Sequence, residues 1–329
     1  MLMAIMFAGC FEEDNNESSE ALINGLTNVT GWGFSGDYVA WSQERDDGKY
    51  VYAYDINHEK KITIAEKLDK GYFCDIYRHI IVYVIINGDF ADIKLYDIDT
   101  KETINVDENV DRTSLAISPK IYNDRIVWFE QTSHSPGGPE LCNLMLYSIS
   151  NKEITIQIEN IDSWRGLEIF EDYVIYVHDG YSNVTIFNIE NGSNRQLPIH
   201  NTTHIKFYGK NVVFQETTHY DDYTQGKYKT CTGSYDEHLF LYNLDDGLTK
   251  QLTTYENERG YPTIYQNKIA WTKMNNGYRN VCIYDIESGE EELISEHKIH
   301  QYAPKIWENK VVWIEHITEE KENIVYHEL

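Results

Sequence analysis

PTIYQNKIAWTKMNNGYRNVCIYDIESGEEELI, Pro262–Ile294, contains the pattern that decides the fold. An aromatic (Tyr265) precedes a two-residue polar turn (Gln266, Asn267). One further residue, two aliphatics and a closing aromatic (Trp271) follow. A variable polar stretch then leads into VCIYDI, a second turn and a last short run ending at Ile294. β-Branched and aromatic residues bounded by turn residues read as strands, and Asp after Tyr284 suits a tight turn because its carboxylate can bond nearby backbone.

The first half recurs six more times: Ser35–Trp41 (SGDYVAW), Tyr77–Tyr83 (YRHIIVY), Tyr122–Trp128 (YNDRIVW), Phe170–Tyr176 (FEDYVIY), Tyr208–Phe214 (YGKNVVF) and Trp307–Trp313 (WENKVVW). Successive closing aromatics are 42, 45, 48, 38, 57 and 42 residues apart. A period of that size marks a stacked array of supersecondary units. Each unit reads as four short antiparallel strands, A to D, and no segment carries a sustained 3.6-residue apolar period. The expected fold is therefore all-β: a β-propeller of seven four-stranded blades. Strand A is expected to begin at Pro119, Pro262 and Pro304, since a strand's first residue can do without its N–H.

The last unit stops after its third strand, at Leu329, whereas ALINGLT (21–27) lies where a strand D would precede the first unit. The N-terminal strand is expected to complete the seventh blade, closing the ring and removing exposed sheet edges. Residues 1–20 are read as a separate leader and tether, and 21–329 as a single domain.

The chain has 28 Lys+Arg against 54 Asp+Glu, a formal net charge of −26. That excludes a nucleic-acid partner, which needs a basic footprint. The start, MLMAIMFAGC, resembles the end of a lipoprotein signal peptide, with FAGC (7–10) as the lipobox and Cys10 as the lipidated residue. The alternative is an apolar N-terminus without that role. FEEDNNESSE (11–20) is acidic and lacks core formers, as a tether would. The resemblance implies an extracytoplasmic protein whose only membrane contact is a lipid at Cys10. Cys74, Cys142, Cys231 and Cys282 form no C-x-x-C pair, so no zinc site is signalled. Cys142 and Cys231 fall in long loops of one face, where pairing is left open.

Function is sought on the face carrying the B–C and D–A loops, because the A–B and C–D turns are short and uniform. Two B–C loops are long, Gln131–Cys142 and Glu216–His238. The second carries Tyr220, Tyr223, Tyr228 and Tyr235 among polar residues, a mixture that suits recognition. Residues just before each strand A line the expected channel mouth: Tyr72, Trp164, Arg165, His204, Arg259, Tyr261, His300 and Tyr302. Aromatic and basic groups clustered in an acidic chain suit a carboxylate-bearing or sugar ligand. They equally suit pairing with nearby acids. No G-x-S-x-G, H-E-x-x-H or glycine-rich phosphate loop is present, and no cofactor or metal is signalled.

The unit P-x-I-aromatic-x-N-K-[IV]-[AV]-W followed by I-Y-D-I, clearest in Pro262–Ile294 and half-matched at Pro119–Trp128 and Pro304–Trp313, resembles the repeat of TolB-like β-propellers and of archaeal surface-layer propellers. The resemblance implies export and interaction, and supplies no catalytic residues. The expected function is a monomeric, non-enzymatic binding scaffold for a cell-envelope protein or glycan. The alternative is a propeller-fold lyase or glycosidase with its site at the channel mouth.

Overall fold

The computed structural model describes residues 21–87, 90–106, 116–133, 141–162, 166–178, 183–219, 235–253, 260–318 and 321–329. Their strands form seven four-stranded antiparallel sheets, with no helix among the described residues. In six blades the strand order follows the chain. The seventh combines Gln301–Trp307, Lys310–Thr318 and Lys321–Glu328 with the N-terminal strand Ala21–Leu26. There Ala21 pairs with Val325, Ile23 with Ile324 and Leu26 with Glu322. The ring thus closes as the incomplete last repeat predicts. Lys310 Nζ, donating to Asp37 Oδ1 at 2.7 Å, adds a side-chain tie from blade seven to blade one.

The core is seven apolar layers, each between two neighbouring blades. Strand B explains why. In Lys268–Asn275, Ile269 and Trp271 pack toward blade five, whereas Ala270, one residue out of phase, packs toward blade seven. A period of two sends alternate side chains to opposite faces, and both faces are covered here. The closing tryptophans Trp41, Trp128, Trp271 and Trp313 are all fully buried. Trp128 and Trp313 donate their indole N–H to the glutamate two residues on, Glu130 (2.8 Å) and Glu315 (3.2 Å), so the large ring is buried without losing its hydrogen bond.

The turns follow the expected chemistry. The first residue of all seven A–B turns lies in the left-handed region: Gly36, Arg78, Asn123, Glu171, Gly209, Gln266 and Glu308, at φ 51–62°. In the C–D turns the residue after the aromatic accepts backbone N–H groups. Asp97 takes those of Asp99 and Thr100, Asn188 those of Glu190 and Asn191, and Asp285 those of Glu287 and Ser288.

Two expectations need correcting. Pro119 and Pro304 do not open their strands. They lie inside Ala116–Tyr122 and Gln301–Trp307, where the register shifts between Ile117 and Lys120 and between Tyr302 and Lys305. A bulge interrupts the ladder, so the missing N–H costs nothing there. Only Pro262 precedes its strand, Thr263–Tyr265. Cys142 is not in a loop: it is the second residue of strand Leu141–Ser148, fully buried between blades three and four. Cys231 lies outside the described residues.

Deleting residues 1–20 should leave the melting temperature nearly unchanged. Deleting residues 1–28 removes the outer strand of blade seven with Leu22, Ile23 and Leu26, which pack in the layer between blades seven and one. At ~1.5–3 kcal/mol per large side chain, discounted for partial burial, a loss of several kcal/mol is expected. Thermal unfolding of the two truncations decides the point; equal midpoints would mean closure does not depend on this strand.

Candidate functional site

The seven inner strands surround the axis, and their period of two sorts their residues. The residue just before each repeat's first aromatic slot points into the core: Phe34, Ile76, Ile121, Ile169, Phe207, Ile264 and Ile306, none more than 8% exposed. The residues on either side of it face the channel, giving two tiers. Together the tiers wall an axial cavity of about 310 Å³ that reaches Arg78 and Glu308 in the A–B turns.

The first tier is a collar of six aromatic rings. Going round, the centroid separations are 4.8 Å for Tyr77–Tyr122, 4.9 Å for Tyr122–Phe170, 4.3 Å for Phe170–Tyr208, 4.9 Å for Tyr208–Tyr265, 5.0 Å for Tyr265–Trp307 and 5.6 Å for Trp307–Tyr77. The circle closes with six because blade one contributes Ser35, whose buried hydroxyl accepts the Arg78 N–H at 2.7 Å. The tilted and edge-on contacts are those favoured by ring quadrupoles. Burial, then the neighbouring Tyr208 and the Glu308 charge, push the Tyr265 hydroxyl up to about 12.

The second tier is charged. It comprises Gly33, Asp75, Lys120, Glu168, Lys206, Thr263 and Lys305, one residue per blade. Glu168 sits between two lysines: Lys120 Nζ is 3.6 Å away and Lys206 donates to the same oxygen. Burial alone would raise the Glu168 carboxyl, but Lys120, Lys206 and Lys305 outweigh it and hold it below its usual range. Asp75 accepts the Ile121 N–H at 3.1 Å, joining blade two to blade three. The Lys305 ammonium makes no hydrogen bond or ion pair with another described residue; its Nζ lies 5.9 Å from the Trp32 ring centroid. It is partly exposed and lines the channel. Burial first, then Lys206 and Lys120, push it down to about 7, and Glu168 and Asp75 reverse this only in part.

Five inner strands carry a bulge on the loop-face side of this tier, in blades one, two, three, five and seven. Bulges re-aim side chains beside sites. Of the expected mouth residues, the described ones, Tyr72, His204, Tyr261, His300 and Tyr302, are not among those that line the axial cavity. His204 and Tyr261 meet edge to face at 4.8 Å, and Tyr261 is 41% exposed. His204 is pushed down to about 4 by burial and then by Lys206 and Lys305, so it is neutral near pH 7. His300 and Tyr302 join a second group, with Tyr278 5.6 Å from His300 and His316 4.3 Å from Tyr302. Tyr72 packs against the layer between blades two and three. Trp164, Arg165, Arg259, Tyr220, Tyr223 and Tyr228 lie outside the described residues. Tyr235 opens strand Tyr235–Asn243, paired with His219, so the strands of blade five run further into the long insertion than expected.

The charged tier was missed in the sequence, although a signal exists. The residue two before each repeat's first aromatic slot shares its face of strand A, and those positions read Gly, Asp, Lys, Glu, Lys, Thr, Lys. Among the described residues one group brings three potential metal-ligand atoms within 4.8 Å, His79, Asp97 and Asp99, on the turn face. Its members are already engaged: His79 lies 4.0 Å from Asp97 and 3.7 Å from Asp99, and Asp97 caps its own turn.

No protein-family model and no curated protein matches the sequence. Solved structures do match in shape. The β-propeller domain of the trilobed protease from Pyrococcus furiosus, described as having an open velcro topology, aligns with TM-score 0.66 at 12% identity over 93% of this chain and 94% of that one. An oligogalacturonate lyase in complex with manganese aligns with TM-score 0.62 at 11% identity, covering 94% and 92%. The acylaminoacyl peptidase of Pyrococcus horikoshii aligns with TM-score 0.66 at 12% identity over 92% of this chain, which spans about half (51%) of that enzyme. At such identities the likeness shows the fold: a seven-bladed β-propeller.

Lys305 gives a signed pH effect. Its folded value of about 7 lies below the 10.5 of a free lysine, so between the two the unfolded chain binds more protons. Its destabilising contribution is therefore full below about pH 7 and fades as pH rises toward the unfolded value. Lys305→Met should raise the melting temperature by several degrees near pH 6 and by much less at about pH 9.5. Melting curves at both pH values check this; a pH-independent shift would show that the ammonium is not penalised in the channel.

Proposed function

We propose that this propeller is a non-enzymatic, monomeric binding module displayed outside the cytoplasm, tethered through a lipid on Cys10, and that its loop face engages a protein or glycan of the cell envelope. The observation that carries this reading is the row of rings on that face: His204 against exposed Tyr261, and Tyr278, His300, Tyr302 and His316 in sequence around blades six and seven. Rigid aromatic area beside imidazole donors suits sugar faces and peptide backbones at low entropic cost. The resemblance of the repeat to TolB-like and surface-layer propellers supports display and interaction. The acidic segment 11–20 supports a tether.

A second reading is a glycan-active enzyme. It is favoured by the oligogalacturonate lyase neighbour, matched over nearly the full length of both chains, and by the channel's buried carboxylate and low-pKa amine. Fold likeness alone does not carry an activity across.

Cys10→Ser should move the protein from the membrane to the soluble fraction, with loss of lipid mass from the N-terminal peptide. Unchanged fractionation with no lipid on that peptide removes the anchor from the proposal. On an array of envelope glycans and peptides, Tyr302→Ala and Tyr261→Ala should weaken capture roughly tenfold, while His58→Ala on the turn face leaves it unchanged. Turnover of an acidic glycan, detected as new reducing ends or unsaturated products, would establish the second reading instead.

A further inference from the structure

The charged tier is hard to explain as a structural device. Glu168 engages Lys120 and Lys206, and Asp75 engages the Ile121 backbone. The Lys305 ammonium makes no hydrogen bond or ion pair with another described residue, yet it is held in the axial cavity. Three ammonium groups against two carboxylates leave one positive charge at the centre of a chain whose net charge is −26. Buried charges are ordinarily paired, because desolvation otherwise costs several kcal/mol. An ammonium in a cavity with only the Trp32 ring beside it has room for a carboxylate that arrives from outside.

The surroundings specify that partner. A single surplus charge suits a monoanion, because Asp75 and Glu168 would repel a second negative charge. Next to the lysines, the wall of the same cavity changes to aromatic faces with phenolic hydroxyls on Tyr77, Tyr122, Tyr208 and Tyr265. Faces of this kind suit a ring that bears C–H groups and hydroxyls. The cavity's volume of about 310 Å³ matches the lower end of small-ligand sites.

We propose that the axial channel is a binding site for a carboxylated sugar, a hexuronate or the single uronate end of an otherwise neutral oligosaccharide, whose carboxylate pairs with Lys305 and whose ring lies within the collar of Tyr77, Tyr122, Phe170, Tyr208, Tyr265 and Trp307. The site is separate from the loop face and does not depend on what that face binds.

Occupancy is coupled to protons. The groups facing Lys305 are Lys206 and His204 of blade five, Lys120 of blade three, Glu168 of blade four and Asp75 of blade two. His204 is neutral above about pH 4, and Glu168 is held ionised, so Lys305 is the group that changes charge near neutrality. The anion binds the charged form. Affinity should therefore be highest below about pH 7 and fall by up to about tenfold per unit above it, until the pKa of the bound state is reached.

The test is a titration of the full-length protein with free glucuronate, glucose and inorganic phosphate, followed by calorimetry and by NMR of the aromatic side chains at about pH 6 and about pH 8.5. Glucuronate should bind with sub-millimolar to millimolar affinity, shifting the Tyr265 and Trp307 ring signals, and more weakly at the higher pH. Glucose and phosphate should each bind at least tenfold more weakly. Lys305→Gln should weaken glucuronate binding by ~10–100-fold, the loss of one charge-assisted contact. His58→Ala on the turn face should leave it unchanged. The proposal is overturned if wild-type protein shows no glucuronate-dependent change in those ring signals. It is also overturned if glucose competes equally, or if folded Lys305→Gln binds as wild type. A negative envelope array with positive glucuronate binding rejects the loop-face function and sustains this site.

Discussion

Burial of strand B on both faces is the constraint from which the rest of the molecule follows. Each closing aromatic lies against the preceding blade, and the residue beside it against the next, so no blade holds a core of its own. An open row of such sheets would leave two apolar faces in water. At ~25 cal/mol per Å² of apolar surface, that exposure is prohibitive for layers built from tryptophan and tyrosine. The ring must close, and the first and last strands of the chain meet to close it. Because the layers are mutual, weakening one junction exposes both of its neighbours, which makes the outer strand of blade seven more consequential than its modest burial suggests.

The same constraint isolates the inner strands. Their one apolar residue, such as Ile121 or Ile306, serves the layer between blades, and the two flanking positions are left to the axis. Seven strands converging there cannot all present large groups at one level. In blade one Ser35 occupies the aromatic position, which allows Tyr77 and Trp307 to meet across it. In the charged tier Gly33 and Thr263 are the small members, leaving space for three lysines.

The blade count, the strand pairing and the closure were all legible in the sequence because they depend on periodicity, and periodicity is a local property. The turn chemistry was legible for the same reason: Asp97, Asn188 and Asp285 act on backbone two or three residues away. The bulges were not, since Pro119 and Pro304 read equally well as strand openings. The axial site was not, because its members are more than thirty residues apart in the chain, Lys120, Glu168, Lys206 and Lys305 each belonging to a different repeat. Nothing in a single unit distinguishes Lys206 from an ordinary solvated lysine. Only superposing the units on the axis brings it onto the Glu168 carboxylate.

An aligned reading of the repeats could have found that tier, and its composition bears on why it exists. A channel tuned for stability alone would be lined by residues of matched size that need no counter-charge. Replacing buried ion pairs by apolar groups is often neutral or stabilising. This propeller instead keeps charged groups at five of seven equivalent positions, with cations in excess, while the chain as a whole is strongly acidic. The excess acid elsewhere does not cancel the local charge, because salt screens exposed carboxylates more than about a Debye length of ~8 Å away. It would, however, repel anions approaching the outer surface. A positive centre within a negative shell therefore discriminates in two stages, disfavouring polyanions at the surface while accepting a single carboxylate on the axis. The aromatic collar, placed beside the lysines by nothing more than the two-residue period of a strand, makes the ring that carries that carboxylate part of what is recognised.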